Sequence, residues 1–193
     1  SIESKFPDAY INMGMTAENL ANSHQISRSS QELFAASSHE KAINAQNLGF
    51  FADEIVEISG VKQDGCMREP NLEKMAQLKP AFDENGTVTA ATSSPLTDGA
   101  AALLVCSEEF ALANGLTPLA SIVSTAVSGV PPEIMGYGPV PSSAKALDRA
   151  GLTMDDLGVI ELNEAFSAQS LACMQDMGLS MDDERINIDG GAL

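Results

Sequence analysis

Two polar side chains that could contact a ligand follow an apolar run in the last third of the chain. Val159, Ile160 and Leu162 have the composition of a strand buried on both faces. Asn163 comes next, and we predict that it caps a helix that has Glu164 in its first turn. Open α/β sheets bind ligands beyond the carboxyl ends of their strands. The pattern therefore fits either a ligand-facing turn or a capped helix after a core strand.

Four motifs occur in the chain order of one enzyme family. Residues 163–166 resemble the Asn-Glu-Ala-Phe motif of thiolases. Residues 89–94, Thr-Ala-Ala-Thr-Ser-Ser, lead into Asp-Gly-Ala-Ala-Ala at 98–102. Ile-Met-Gly-Tyr-Gly-Pro-Val-Pro at 134–141 and Asn-Ile-Asp-Gly-Gly-Ala at 187–192 are also similar to family motifs. The resemblance to thiolases therefore covers essentially all 193 residues.

This resemblance implies a central fragment of a 3-ketoacyl-CoA thiolase, an acyltransferase of fatty-acid β-oxidation. Such enzymes cleave 3-ketoacyl-CoA with coenzyme A, giving acetyl-CoA and a shortened acyl-CoA. Coenzyme A would be a substrate, and no cofactor is expected. We expect a homodimer or homotetramer at full length, with a β-oxidation multienzyme complex as a further partner. An acetoacetyl-CoA thiolase is the enzymatic alternative, and an acyl-CoA-binding or assembly module is the non-enzymatic one.

The implied fold is α/β with the α/β/α/β/α layers of thiolases, and it would be incomplete. We predict a loop domain with the coenzyme A-contacting insertion at residues 1–86. Residues 87–117 would end the N-terminal half of the thiolase fold, and residues 118–193 would begin its C-terminal half.

The same resemblance assigns roles to individual side chains. Asn163 would hold a water that forms part of the oxyanion hole, because an uncharged amide fixes a dipole without adding a proton. Phe166 and Met135 resemble walls of the pantetheine and acyl tunnel, and Ser94 matches a serine that contacts pantetheine. The residues implied in substrate or coenzyme A binding are thus Ser94, Met135, Phe166, Met13 and, as the adenine contact, Arg68. No metal site is implied.

The sequence departs from the family pattern at several positions. Asn12 precedes Met13 where short-chain acetoacetyl-CoA thiolases have histidine, which favours the degradative 3-ketoacyl enzymes. Asp189 stands where asparagine is more usual, and the spacing from Arg68 to Leu72 is one residue shorter than common. The nucleophilic cysteine, the Gly-His-Pro histidine and the second catalytic cysteine of the family have no match. We expect these three groups to lie outside the 193 residues.

The charge of the chain limits its partners. A formal charge of −17, from 10 basic and 27 acidic residues, argues against nucleic acid or an anionic membrane surface. Four of the bases lie close together, namely Lys62, Arg68, Lys74 and Lys79. This basic cluster is the candidate contact for coenzyme A phosphates, although a solvated mixed-charge face explains the composition equally well.

The cysteines and histidines indicate no metal site. The chain has three cysteines, an odd number, and their spacing does not match a metal site: Cys66, Cys106 and Cys173. We therefore expect each to act as a small hydrophobic residue, in a protein from a reducing compartment. His24 and His39 have no companion ligand at helical spacing. With no apolar run near the ~20 residues of a membrane span and no signal-peptide core, the expected location is cytoplasmic, or mitochondrial or peroxisomal in a eukaryote.

Helices and strands alternate in the predicted secondary structure. Helices are expected after the caps Thr16 and Ser27 (the latter to about Leu48), from Asn71 to Leu78 and from Glu108 to Ala113. Two more are expected from a cap at Ser142 or Ser143 to Ala150, and after Asn163 to Met177. Strands are expected at 54–58, 87–91, 99–106, 120–127 and 159–162. The Gly- and Pro-rich residues 129–141 are expected to form a shaped loop.

The missing catalytic groups predict that the 193-residue chain alone has no thiolysis activity. Without a nucleophile to form an acyl-enzyme, a ligand can only bind. The measurement is turnover of acetoacetyl-CoA by the purified chain. A rate that rises in proportion to the chain concentration would contradict the prediction.

Overall fold

The computed structural model of the protein describes residues 4–193, so residues 1–3 of the predicted loop domain lie outside it. Its α-helices are α1 (Met13–Ser23), α2 (Arg28–Leu48), α3 (Leu72–Ala76), α4 (Glu108–Ala113), α5 (Pro139–Ala150) and α6 (Ser167–Asp176). Short 3₁₀ helices lie at Pro7–Tyr10, Ala90–Thr92, Pro132–Tyr137 and Met154–Asp156. Across this described part, no helix is long and apolar enough to cross a membrane.

Helix α2 has the ends that its sequence predicts. The Ser27 side chain accepts a hydrogen bond from the Ser30 backbone N–H, and Gly49 closes the helix with a φ of 79°. The small side chains of α2 allow close packing, since a Cβ added at Gly190 would lie 2.6 Å from the Ala42 Cβ. Helix α2 therefore lies directly against the C-terminal segment that contains Gly190 and Gly191.

Helix α6 is the centre of the core. Residues 167–174 are all buried, which is the pattern of a helix that is covered on every side. It contacts α1, α2 and α5 as well as the 3₁₀ helix Pro132–Tyr137. The main apolar cluster around it consists of Phe34, Ala35, Met75, Leu162, Leu171, Cys173, Met174, Leu179, Ile186 and Leu193. Segments on several sides of α6 are thus positioned by this one helix.

Two helices begin earlier than their sequence predicts. Helix α1 is capped by Asn12, which accepts from the Gly14 N–H at 2.8 Å, so the predicted cap Thr16 was wrong. Helix α5 starts at Pro139, because proline in the first turn has a preset φ and lacks only an N–H that would be unpaired there. Ser142 consequently lies inside α5, where its Oγ donates to the Gly138 carbonyl at 2.7 Å, and the predicted cap at Ser142 or Ser143 was also wrong.

The predicted strands form only single bridges within residues 4–193. Ile160 pairs with Ile186 in parallel, and residues 87–91 form a bridge at Thr89 followed by the helix Ala90–Thr92. Residues 54–58 lie in an exposed turn and loop. Residues 99–106 and 120–127 adopt no regular structure, because a strand requires a neighbour with which to exchange hydrogen bonds. The prediction of regular strands in these segments was therefore wrong.

The unpaired segments leave a large apolar surface. Leu103 is 89% exposed, Val105 74% and Ile122 70%. Native proteins rarely expose apolar patches of this kind without a partner. Their backbone N–H and C=O groups are also open to pairing with another strand.

We therefore predict that the isolated chain aggregates or binds hydrophobic dyes. Replacing Leu103 and Val105 with lysine should reduce dye fluorescence, because the change removes exposed apolar area and adds charge. A control with Ser121→Lys and Thr125→Lys adds the same charge but leaves the apolar side chains, and it should retain more fluorescence. A monodisperse, cooperatively melting monomer that binds no dye would contradict the prediction.

Candidate functional site

Asn163 is not the helix cap that its sequence position predicts. Helix α6 begins at Ser167, and its N-cap is Phe166, which makes no side-chain capping bond. Asn163 is exposed, and its side chain has no hydrogen-bond partner among residues 4–193. Glu164 likewise precedes the helix instead of occupying its first turn. The Asn163 amide is therefore free to bind a water or a ligand group.

Glu164 is buried beside this free amide. Its side chain is 1% exposed, although it carries a carboxylate. Ser38 of α2 donates its hydroxyl to Oε2 at 2.6 Å, and the Asn187 Nδ2 donates to Oε1 at 2.6 Å. The Leu193 backbone N–H donates a longer bond to Oε2 at 3.4 Å. The carboxylate therefore connects α2, the turn before α6 and the C-terminal segment.

Asn187 extends the network to the residue on the other side of Asn163. Its Oδ1 accepts from the Leu162 N–H at 2.8 Å, and its Nδ2 donates to the Leu162 carbonyl at 2.9 Å. Asn187 has a φ of 44°, a left-handed conformation that asparagine tolerates better than most residues. Leu162 and Glu164 are both fixed in this way, so the backbone that carries Asn163 is held on both sides.

Ser94 and Phe166 lie next to the Asn163 turn. The Ser94 N–H donates to the Ala165 carbonyl at 3.0 Å, and Ser93 forms a bridge with Phe166. Phe166 also packs edge-to-face against Phe82, with ring centroids 5.8 Å apart. The structure thus brings together Asn163, Ser94 and Phe166, three of the side chains singled out from the sequence.

A second buried carboxylate holds the segment that leads to Ser94. Glu18 of α1 is 2% exposed and accepts from the N–H groups of Thr87 and Val88 at 2.8–3.0 Å. A Cβ at Gly86 would overlap this carboxylate, so only glycine allows the close approach. Glu18 therefore fixes the entry to the capping box formed by Thr89 and Thr92.

Met13 and Met135 lie on segments that pack beside these residues. Gly14, next to Met13, is in contact with the Phe82 ring, which in turn packs on Phe166. Gly136, next to Met135, lies so close to α6 that an added Cβ would be 2.6 Å from the Gln169 Cγ. Met13 is 41% exposed and Met135 50% exposed, so both side chains can contact a ligand.

Arg68 is not brought into contact with the other candidate residues. It is exposed, as are Lys62, Lys74 and Lys79 of the basic cluster. Its charge nevertheless acts on His39 of α2, whose pKa is lowered first by burial and then by Arg68, while Glu164 opposes the shift. Arg68 is therefore close enough to His39 of α2 to influence it electrostatically.

The described residues contain three free cysteines and form no metal cluster. Cys66, Cys106 and Cys173 are all free, and no group of three or more potential metal ligands is found between residues 4 and 193. Burial raises the pKa of the Cys173 thiol to about 11, which keeps it protonated at neutral pH. The prediction that Cys173 is a small buried hydrophobe is confirmed.

The two carboxylates that hold the site were not predicted from the sequence. The sequence pattern places Glu164 in the first turn of a helix and gives Glu18 no particular role. Their sequence signal is weak, but each lies against a glycine, since a Cβ at Gly191 would overlap Glu164 as one at Gly86 would overlap Glu18. Such contacts join residues far apart in the chain and are visible only after folding.

Comparisons with known proteins identify what this arrangement resembles. The family model described as "Thiolase, N-terminal domain" matches residues 4–109, and "Thiolase, C-terminal domain" matches residues 116–193. A 3-ketoacyl-CoA thiolase of Yersinia enterocolitica is 54% identical over 94% of this chain and 50% of the relative. One of Cronobacter sakazakii is 52% identical with the same coverage. The chain thus spans about half the length of the curated relatives it matches.

Two solved structures share the fold. Human mitochondrial 3-ketoacyl-CoA thiolase, crystallised in complex with CoA, superposes with a TM-score of 0.89 at 41% identity, over 93% of this chain and 46% of that chain. Bacillus anthracis acetyl-CoA acetyltransferase gives a TM-score of 0.87 at 40% identity, over 94% of this chain and 48% of that chain. The predicted thiolase-like α/β fold, incomplete relative to these structures, is confirmed.

The Glu164 network can be tested in a hybrid enzyme, defined as the Yersinia enterocolitica relative with its matching half replaced by this chain. Gly191→Ala should destabilise the hybrid by about 1–3 kcal/mol, because the new methyl group displaces the Glu164 carboxylate. Gly158→Ala is the control, since no atom lies within 4 Å of a Cβ there. Urea denaturation measures both, and equal stabilities for the two variants would contradict the prediction.

Proposed function

Because the chain belongs to the thiolase family, we propose that it forms part of a 3-ketoacyl-CoA thiolase acting in fatty-acid β-oxidation. The proposed substrates are 3-ketoacyl-CoA and coenzyme A, and the products are acetyl-CoA and a shortened acyl-CoA. The 54% identity to a 3-ketoacyl-CoA thiolase over 94% of the chain supports this choice. Asn12, which caps α1 where short-chain enzymes have histidine, favours the same choice.

The observation that carries the proposal is the unpaired Asn163 amide. It is exposed between two residues, Leu162 and Glu164, whose positions are fixed by Asn187. A donor that is already oriented stabilises developing charge without reorganising during the reaction. We propose that the Asn163 side chain holds a water that donates to the thioester oxygen of the substrate.

The reaction explains why such a donor is needed. A thiolate attacks the 3-keto carbon, and the bond between carbons 2 and 3 then breaks. Its electron pair passes to the acetyl-CoA part as an enolate, which takes a proton from a general acid, while the acyl group stays on the thiol. Coenzyme A finally accepts the acyl group and frees the thiol. Asn163 would act on the enolate oxygen, and other residues of the enzyme would supply the thiolate and the acid.

Coenzyme A fits the remaining candidate residues. Ser94 and Phe166 adjoin Asn163, and Met13 and Met135 are partly exposed nearby, so we propose that these four side chains contact pantetheine or the acyl chain. The four bases of the basic cluster are exposed and form no ion pairs with the residues described, which leaves them available to phosphate. Arg68 is proposed as the adenine-side contact. Coenzyme A serves as a substrate, and no resident cofactor is proposed.

An acetoacetyl-CoA thiolase is the second candidate. The similarity to the Bacillus anthracis acetyl-CoA acetyltransferase, at 40% identity, favours it. Relative rates of the hybrid enzyme on acetoacetyl-CoA and on a longer 3-ketoacyl-CoA separate the two candidates. A preference for the longer substrate supports the first proposal, and activity on acetoacetyl-CoA alone supports the second.

We propose the division into residues 1–86, 87–117 and 118–193 on the basis of the family matches, which change from one half to the other between residues 109 and 116. A homodimer or homotetramer, with a β-oxidation multienzyme complex as a further partner, is proposed by analogy with the family. The free cysteines support a reducing compartment, either the cytoplasm or, in a eukaryote, the mitochondrion or peroxisome.

Substitution of Asn163 in the hybrid enzyme tests the proposed function. Asn163→Ala should lower kcat by about 10²–10³-fold, the usual effect of removing one oxyanion-hole donor. Asn163→Asp should lower kcat at least as far, because its negative charge approaches the developing oxyanion. Neither change should shift the melting temperature, since the side chain caps no helix.

Two results would contradict the proposal. One is a folded but inactive unsubstituted hybrid, which would favour the acyl-CoA-binding or assembly module. The other is an Asn163→Asp variant with most of the parental kcat, which would show that the side chain does not act on the developing charge.

A further inference from the structure

Glu164 is a buried carboxylate without a cationic partner. Its side chain is 1% exposed, and no lysine or arginine within residues 4–193 forms an ion pair with it. Burying a charge is costly unless hydrogen bonds replace the lost water. A core position next to the turn could instead have been filled by an apolar side chain, often with a gain in stability. Glu164 lies directly after Asn163, and this location suggests a role for the costly buried carboxylate.

We propose that Glu164 is a positioning residue that holds the Asn163 amide in the orientation needed at the thioester oxygen. The inference rests on the proposed function of Asn163 and adds a role for its buried neighbour. The carboxylate fastens the turn to α2 through Ser38 and to the C-terminal segment through Asn187. The Asn163 side chain makes no hydrogen bond to the part of the chain that the structure describes, so its direction depends on the backbone on both sides.

A carboxylate suits this role better than a neutral amide would. It has only acceptor atoms, and here its two oxygens receive three donors, one from Ser38 of α2 and two from Asn187 and Leu193 of the C-terminal segment. A glutamine would turn its NH₂ group toward one of these donors and lose that bond. Charge-assisted hydrogen bonds are also stronger than neutral ones, so the three segments are held more rigidly.

Ser38 completes the connection from the side of α2. Its Oγ donates to Glu164 and accepts from the Gly191 N–H at 3.1 Å, so one hydroxyl joins both ends of the network. Ser38 is 3% exposed and lies on a long helix whose ends are well capped. Because it does not belong to the turn or touch Asn163, a change at Ser38 can act on Asn163 only through Glu164 and Gly191.

The test compares Ser38→Ala with Ser37→Ala in the hybrid enzyme. Ser37 is on the same helix, is half-buried and makes no side-chain hydrogen bond among the residues described, so it is a matched control. Ser38→Ala should lower kcat and kcat/KM by the same factor, up to about 10²-fold, because a small misplacement of a catalytic group can cost that much. Glu164→Gln should have an effect in the same direction, and Ser37→Ala should leave both values unchanged.

A double variant separates positioning from a merely structural role. If Ser38 acts through Asn163, then Ser38→Ala should lower kcat little or not at all when Asn163 is already alanine. A fall in melting temperature with kcat and KM unchanged, measured well below that temperature, would overturn the inference. Equal losses of kcat with and without Asn163 would overturn it as well. If Asn163→Ala itself has no effect, it is the proposed function that fails.

Discussion

The organisation of the site depends on a buried carboxylate that accepts hydrogen bonds and forms no ion pair with a lysine or arginine between residues 4 and 193. Glu164 accepts from the Ser38 side chain of α2 and, in the C-terminal segment, from the Asn187 amide and the Leu193 backbone N–H. Leaving a buried carboxylate without its donors costs several kcal/mol, so the segments are held together by the need to satisfy it. Glu18 does the same for the segment that leads to Ser94. Two buried carboxylates therefore hold the turn that carries Asn163 and the segment that leads to Ser94.

These networks require close packing around α6. A helix buried on all sides can position several segments only if their backbones approach it closely, and glycine and alanine make that approach possible. Gly136 lies against Gln169 of α6, and Gly190 lies against Ala42 of α2. Gly191 and Gly86 leave the space that the two carboxylates occupy. Small residues near the site thus leave the space that larger polar side chains need. The pattern of polar and apolar residues along the sequence does not reveal this.

Local signals predicted local structure well. The serine cap of α2 and its end at Leu48 were predicted correctly, as were α4 and, to within one residue, the C-terminal end of α6. The strands were not, because strand formation depends on a neighbour that residues 99–106 and 120–127 do not find within the described chain. Asparagine is a common cap, but Ser93 and Ser94 pair with Phe166 and Ala165, so the backbone after Asn163 stays extended and the helix begins at Ser167. The motifs led to the correct family, whereas the Glu164 network, formed by residues up to 153 positions apart in the chain, had no local signal.

The central claim is that a buried network presents the Asn163 amide, free of protein partners, to the thioester oxygen. A crystal structure of the hybrid enzyme with acetyl-CoA tests it most directly. We expect the Asn163 Nδ2 to lie about 2.7–3.2 Å from a water that also contacts the thioester oxygen, with Glu164 still bound by Ser38 and Asn187. An Asn163 side chain that instead bonds to the protein, with the thioester oxygen bound elsewhere, would contradict the claim.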